Sequence, residues 1–187
     1  NYSMVEQLIK DLEKNTKTGI DSLKVELTGI RTNRPNPQLV ENVKVDYLGQ
    51  QLVIKQLGSI SIVPPREIDI SPWDKAAVPA IIKGIEISGM GLTANTDGNL
   101  IRINLPTLTD ERRQELIKLV KSMTEQVKIR LRGMRDDSNK KVEAAFKEKI
   151  ISEDQKFKLK KQVQGVVDKM NVGIENLLAG KIKEIND

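Results

Sequence analysis

Residues 109–148 read TDERRQELIKLVKSMTEQVKIRLRGMRDDSNKKVEAAFKE, and apolar or small side chains recur along them at steps of three and four. The series covers 29 positions in eight steps, about 3.6 residues per step, which is the period of an α-helix. At 1.5 Å per residue, this pattern predicts a single helix about 60 Å long. The side chains that define the period are Leu116, Val120, Met123, Val127, Leu131, Met134, Ser138, Val142 and Ala145.

Two more stretches share this period, one at residues 5–30 and one at residues 159–185. Ser152 and Gln155, just before the last stretch, have the spacing of a capping box. Narrow apolar stripes on such charged helices can be buried only against one another, so the sequence predicts a bundle of three helices. The connection at residues 148–151 is short, which makes the second and third helices antiparallel neighbours.

The region between residues 31 and 105 has a different composition. All seven prolines of the chain lie in it or beside it, and none lies in the three helical stretches. Short runs of alternating apolar and polar residues predict strands there, and one helix fits around Pro79. The strands are predicted at residues 43–47, 52–54, 68–70 and 100–103, a turn at residues 95–99, and the helix at residues 76–88.

These elements predict a small α/β domain inserted into the bundle, which makes the fold class α+β. We place the domain at residues 31–105 and the bundle at residues 1–30 and 106–187. The chain must leave and re-enter the bundle at nearly the same place, so the two connections should act together as a hinge. The predicted hinge residues are Thr32, Asn33, Arg34, Pro35, Asn104, Leu105, Pro106 and Thr107.

The composition argues against an enzyme. The 187 residues include no histidine and no cysteine, which excludes imidazole bases, Cys–His nucleophiles, zinc fingers, iron–sulfur centres and disulfides. Asp136 and Asp137 are adjacent acids, but neighbours on a helix project about 100° apart and do not share a site. The glycines form no phosphate-binding loop, so no catalytic residue, metal or cofactor is expected.

Charge and hydropathy indicate a soluble binding protein. With 31 basic and 26 acidic residues, the net charge is +5, which permits a nucleic-acid partner. Only 3% of the residues are aromatic, so a surface that stacks bases on rings is not expected. No apolar run approaches the roughly 18 residues that cross a bilayer, and no secretory signal opens the chain. A cytoplasmic protein with no membrane partner is expected.

Most of the excess positive charge lies on the middle helix, where eleven basic and seven acidic residues give a net +4 over residues 109–147. At 100° per residue, five polar side chains fall within about 60° of one another, beside the apolar stripe. This basic ridge has a repeat suited to a phosphate backbone. A solvated face whose lysines cover the edge of the core is the alternative. The ridge consists of Lys121, Lys128, Arg132, Arg135 and Asn139.

Other basic residues lie at helix ends. Arg31 follows the first helix, where a cation complements the helix dipole, so capping is an adequate explanation for it. Arg34 lies beyond that helix in a proline-rich segment, where structural and binding roles are equally supported. Arg112 and Arg113 open the middle helix at the end that disfavours cations, which suggests an anionic partner.

Five short motifs follow one another along the chain: RTNRPNP at residues 31–37, VDYLG at residues 45–49, LPTLTDERR at residues 105–113, RGMRDD at residues 132–137 and ISED at residues 151–154. In this order they resemble motifs of the bacterial and organellar ribosome recycling factors. RTNRPNP at residues 31–37 resembles the family's Arg-Thr-Gly-Arg-Ala-x-Pro, and VDYLG at residues 45–49 resembles its Val-Glu-Tyr-Tyr-Gly. LPTLTDERR at residues 105–113 is similar to Leu-Pro-Pro-Leu-Thr-x-Glu-Arg-Arg. RGMRDD at residues 132–137 resembles Arg-Asn-x-Arg-Arg-Asp, and ISED at residues 151–154 resembles the family's helix cap.

The resemblance implies a three-helix bundle that bears a small βαβ sandwich domain on two linkers, in an L shape of about tRNA size. It implies a monomer that acts after termination in a bacterial cytoplasm or an organelle. With elongation factor G and GTP, such a protein splits the 70S-type ribosome into subunits. The bundle would lie on large-subunit rRNA. The resemblance puts Arg113, Arg132 and Arg135 at RNA-contacting positions, and Arg31 and Arg34 in a basic hinge.

Three residues depart from the family motifs. Asn33 replaces a glycine, which is tolerable if the backbone there is left-handed. Pro35 replaces an alanine and should stiffen one linker, and Asp136 replaces an arginine and weakens the local positive potential. A coiled-coil interaction protein with a merely solvated ridge is the second interpretation, and an enzyme is the third.

Overall fold

The structure is a computed structural model that describes residues 2–187, and the chain divides into two compact units. The first, the bundle unit, holds the described residues up to Ile30 together with Asp110–Asn186. The second, the inserted unit, is Arg31–Thr109. Each unit contains its own buried apolar cluster.

The described residues form four α-helices and six β-strands. The helices are α1 (Tyr2–Thr28), α2 (Val78–Ile87), α3 (Asp110–Lys147) and α4 (Glu153–Asn186). The strands are β1 (Lys44–Tyr47), β2 (Gln50–Val53), β3 (Gly58–Val63), β4 (Glu67–Pro72), β5 (Thr93–Asp97) and β6 (Leu100–Asn104). Short 3₁₀ turns occupy Pro37–Leu39, Ile54–Gln56 and Lys75–Ala77. The expected α+β class and the three long helices are confirmed.

The helices α1, α3 and α4 pack on one another through their apolar stripes. Leu23, Leu116 and Ile174, one from each helix, are at most 2% exposed. Burying such a side chain contributes about 1.5–3 kcal/mol. A cluster at one end joins the start of α1 to the end of α3, so these two helices run antiparallel. It consists of Val5, Val142, Ile151 and Leu159.

Local hydrogen bonds set the ends of α3 and α4. The N–H of Ile150 donates to the carbonyl of Ala145 at 2.9 Å while Lys149 adopts a φ of 58°, which together form a Schellman-type end. The predicted capping box of α4 is confirmed. The N–H of Ser152 donates to Gln155 Oε1 at 2.9 Å, and the N–H of Gln155 donates to Ser152 Oγ at 3.2 Å. These ends turn the chain back, so α3 and α4 are antiparallel.

The inserted unit contains a four-stranded sheet in the order β3-β4-β6-β5 and a separate β1-β2 hairpin. Both β4 and β5 pair antiparallel with β6, so they run parallel to one another, and α2 connects them as a βαβ crossover. Ile70, Ile101 and Ile103 of the sheet are buried together with Ile81 and Ile85 of α2. The unit therefore has the βαβ order that the resemblance implied.

The expected turn at residues 95–99 was wrong over its first three residues. Asn95, Thr96 and Asp97 belong to β5, and only Gly98 and Asn99 form the turn. Gly98 has a φ of 61°, as the first position of a two-residue hairpin turn often requires. Because β5 is an edge strand that buries no residue fully, its sequence lacks the apolar alternation by which strands are recognised.

Two other expectations for this unit were wrong, and one strand was not expected. Ile54, expected at the end of a strand, begins a 3₁₀ turn instead. The helix expected from residue 76 begins at Val78, because Asp74 Oδ1 accepts the N–H of Ala76 at 2.9 Å and holds a 3₁₀ turn there. Strand β3 was not expected, although its Ser-Ile-Ser-Ile alternation at residues 59–62 has the period of a strand.

A pair of carboxyl groups lies on β4, on the face opposite the buried Ile68 and Ile70, and Asp69 is itself only 9% exposed. Glu67 and Asp69 are two residues apart on β4, so their side chains share a face. A hydrogen bond with Asp69, followed by burial and repulsion from the same carboxylate, raises the pKa of Glu67. Arg102, opposite Asp69 on β6, acts in the other direction. Because the folded pKa is raised, the stability that the Glu67 proton provides is present at low pH and is lost as pH rises through that value.

Glu67→Gln is therefore expected to increase the melting temperature more at pH 7 than at pH 4. Glutamine can still donate to Asp69, and it removes the second negative charge. Thermal unfolding at both pH values measures the difference. Glu86→Gln, at an exposed position of α2, is the control for loss of one acid. Equal changes at the two pH values would contradict the proton linkage.

Candidate nucleic-acid interface

The basic ridge lies on one flank of α3. From Lys121 to Asn139 the helix rises about 27 Å at 1.5 Å per residue. Lys121 and Arg132 are exposed, whereas Lys128, Arg135 and Asn139 are half-buried. All five predicted side chains therefore lie on one continuous helix, and their polar groups lie beside the row of buried residues that faces the core. Such a row can follow several consecutive phosphates of a nucleic acid.

Both ridge arginines contact a carboxylate of the same helix. Arg132 Nη2 lies 2.8 Å from Oε1 of Glu125, which is two turns earlier. Arg135 presents Nε and Nη2 to a single oxygen, Asp136 Oδ1, each at 3.3 Å. The four side chains are between 32% and 60% exposed, and ion pairs of this kind contribute only about 0–1 kcal/mol. The arginines can therefore exchange a carboxylate for a phosphate at little cost.

Lys128 connects two helices of the bundle. Its ammonium group donates to Glu175 Oε1 of α4, and its side chain is only 24% exposed. The aliphatic part of such a lysine covers the edge of the core while its charge reaches the surface. Lys128 therefore covers the edge of the core, and its charge adds to the positive potential of the ridge. Its contact with RNA stays a prediction.

Asn139 closes the ridge at its C-terminal end. Its Oδ1 is shielded from solvent and accepts no hydrogen bond within the part of the chain that the structure describes. A buried acceptor without a donor reduces stability by about 1–3 kcal/mol. The unsatisfied oxygen indicates that this amide is not explained by packing alone.

Arg113 lies on α3 but off the ridge. It is in the first turn, and at 100° per residue it projects about 100° away from Arg132. Its Nη2 lies 2.8 Å from Asp110 Oδ1, and Arg112 Nη1 lies 3.0 Å from Glu115 Oε2. The negative charges of Asp110 and Glu115 offset the unfavourable interaction of the two arginines with the positive end of the helix dipole. The unfavourable position of the two arginines is thus compensated inside the chain.

Arg31 and Arg34 belong to the inserted unit, where both are exposed. Helix α1 ends at Thr28, so Arg31 lies beyond its last turn. Lys181 of α4 instead donates to the carbonyl of Ile30, at 3.1 Å. Arg31 lies three residues beyond the end of α1, so its expected interaction with the helix dipole stays a prediction.

The two linkers are joined by a side chain. Asn33 has a φ of 60°, which is the left-handed conformation that glycine adopts freely. Its Nδ2 donates to the carbonyl of Pro106 at 3.0 Å. Pro35 and Leu105 are buried, and the N–H of Leu105 donates to the carbonyl of Arg66 at 2.8 Å. Leu105 belongs to the apolar cluster of the inserted unit, so it anchors the second linker to that unit.

The described residues contain no group of three or more acidic side chains arranged to hold a metal ion. Among the same residues, no helix is long and apolar enough to cross a membrane.

Sequence reasoning missed the acidic partners of the ridge. Glu125 precedes Arg132 by seven residues, a spacing that returns to the same face of a helix and could have identified it. Glu175 has no such signal, because it reaches Lys128 from another helix 47 residues along the chain.

Comparison with known proteins gives the family. A family model described as ribosome recycling factor matches residues 23–185. The ribosome-recycling factor of Dehalococcoides mccartyi is 40% identical over 182 residues, which cover 97% of this chain and 98% of that protein.

Two solved structures are similar over the whole length. A solution structure of a ribosome recycling factor is 39% identical, with a TM-score of 0.59 over 97% of this chain and 96% of that one. The second is from models of the T. thermophilus ribosome recycling factor and E. coli elongation factor G bound to the E. coli post-termination complex. It is 29% identical, with a TM-score of 0.56 over 97% of this chain and 98% of that one. With a family model that matches most of its length and relatives similar throughout, the chain belongs to the ribosome recycling factor family.

Proposed function

We propose that this protein binds the ribosome after termination and, together with elongation factor G and GTP, splits it into subunits for a new round of initiation. The row of cationic side chains along α3 is the observation that carries the proposal. A solved relative, described together with elongation factor G on a post-termination complex, supports the choice of partners.

The bundle unit is the part that we assign to the large-subunit rRNA. Arg132 and Arg135 can each present two parallel N–H donors to phosphate oxygens. Lys121 and Lys128 add charge along the same 27 Å flank, roughly the span of several phosphates. Asn139 adds an amide at its end, and Arg113 offers a separate contact at the first turn of α3. Arg31 and Arg34 would contact RNA from the inserted unit.

The inserted unit is the part that we expect to move. In this proposal, residues 1–30 with 106–187 form the fixed arm. Residues 31–105, which are the inserted unit without its last four residues, form the arm that the elongation factor pushes. Leu105 lies in the apolar cluster of the inserted unit and Pro35 is buried as well, so the backbone changes should concentrate in the exposed residues next to them. Asn33 and Pro106, whose side chain and carbonyl are bonded, would then move together.

No side chain of this protein needs to react in this mechanism. The partner hydrolyses GTP, and this chain supplies stiff helices, cations and two linkers, acting as a monomer without a cofactor. A titration of large-subunit binding against salt tests the assignment of the ridge. Each phosphate contact contributes about one unit to the slope of log affinity against log salt, so a slope of about three or steeper is expected. Affinity that does not change with salt would contradict the RNA assignment and favour an interaction protein.

A further inference from the structure

We propose that Glu125 and Asp136 modestly lower the affinity of the ridge by competing with rRNA phosphates for Arg132 and Arg135. The inference rests on the proposed function, because it assumes that these arginines contact RNA. Acids on an exposed helix surface usually serve only to keep that surface hydrated. The inference gives Glu125 and Asp136 the further role of weakening RNA binding.

The contact of Glu125 directs the Arg132 side chain. Seven residues correspond to a rise of about 10 Å, so the arginine must lie back along the helix surface to bring Nη2 within 2.8 Å of Glu125 Oε1. A phosphate that binds the same Nη2 must displace the carboxylate or approach beside it, against like-charge repulsion. In either case part of the favourable contact with RNA is offset by the loss of the contact with Glu125.

Asp136 occupies the face of Arg135 that a phosphate would use. Nε and Nη2 form the edge of a guanidinium that makes paired hydrogen bonds to an oxyanion, and both lie 3.3 Å from Asp136 Oδ1. At this distance the bonds are long, so the carboxylate occupies the edge without holding it firmly.

The neighbouring Asp137 lacks this arrangement. It is exposed, projects about 100° further round the helix from Asp136, and forms no ion pair within the described part of the chain. It therefore carries the same charge on the same helix without touching a ridge arginine. This difference separates a specific competition from the general effect of negative charge on RNA binding.

The test compares three neutral variants by their dissociation constants for purified large subunits at one salt concentration. Glu125→Gln and Asp136→Asn are each expected to tighten binding by about twofold to fivefold, the fold-change that corresponds to an exposed ion pair. Asp137→Asn is expected to tighten it by less than about twofold. Equal gains for all three variants, or no gain for the first two, would overturn the proposal.

A double-mutant cycle then shows whether each acid acts through its arginine. Glu125→Gln made in an Arg132→Gln background should give no gain, and Asp136→Asn in an Arg135→Gln background should behave in the same way. Gains that persist without the arginines would overturn the competition. Circular dichroism melts confirm that every variant is folded, since all the altered side chains are at least about a third exposed.

The outcomes also separate this inference from the proposed function. If the arginine variants bind as tightly as the unaltered protein, the ridge is not the RNA contact, and both the RNA assignment and the competition fail. If the arginine variants weaken binding but neutral Glu125 and Asp136 do not strengthen it, the ridge assignment stands and only the competition is refuted.

Discussion

Replacement of Arg132 and Arg135 together by glutamine should weaken binding to the large ribosomal subunit by roughly tenfold to a hundredfold. Each charge-assisted hydrogen bond to a phosphate contributes about 1.5 kcal/mol, and about 1.4 kcal/mol corresponds to a factor of ten. The slope of log affinity against log salt should also fall by about two units, one for each lost phosphate contact. Co-sedimentation with purified subunits over a series of salt concentrations measures both quantities.

Arg130→Gln is the matched control for this double variant. Arg130 is exposed on the same helix, but at 100° per residue it projects about 160° away from Arg132. Loss of its charge should change affinity by less than about threefold, since only distant, screened electrostatics are altered. If the double variant kept its affinity and its salt slope, the RNA assignment would be wrong. The ridge would then be the solvated face of an interaction protein.

A cross-link between the two units is expected to abolish subunit splitting while it leaves ribosome binding within about twofold. The mechanism needs the inserted unit to move when it is pushed, whereas binding needs only the ridge of the bundle. The chain has no cysteine, so Val25→Cys on α1 and Gln38→Cys in the inserted unit, both at exposed positions, supply the only two thiols for a bifunctional reagent. Reagents with a reducible disulfide and increasing spacer length identify the shortest link that forms.

Reduction of the link provides the internal control. The same protein should regain splitting once the linker is cleaved, and each single-cysteine variant treated with the reagent should split normally. Splitting by the locked protein at the unlocked rate would show that the inserted unit need not move. Loss of splitting that reduction cannot reverse would indicate damage by the reagent rather than a locked hinge.

The long helices could be predicted because they depend on local information. The 3.6-residue period placed α3 within one residue of its observed ends, and the spacing of Ser152 and Gln155 predicted a cap that the structure confirms. The ridge followed from the same angles around the helix axis. The mixed fold class followed from the change of composition after residue 30.

The remaining features depend on contacts between residues that are distant in sequence. Glu175 reaches Lys128 across 47 residues, and Asn33 reaches Pro106 across 73, so no local pattern identifies either pair. Strand β5 was assigned in part to a turn because an edge strand has little need of apolar residues. Asp136 was recognised from the sequence as a departure from the family motif, but its contact with Arg135 is visible only in the structure.

Light scattering of post-termination 70S-type ribosomes is the most direct test of the central proposal. When this protein, elongation factor G and GTP are added together, scattering should fall as the particles separate into subunits. Omission of any one of the three should leave the signal unchanged. No fall with the complete mixture, or an equal fall without elongation factor G, would contradict the proposed function.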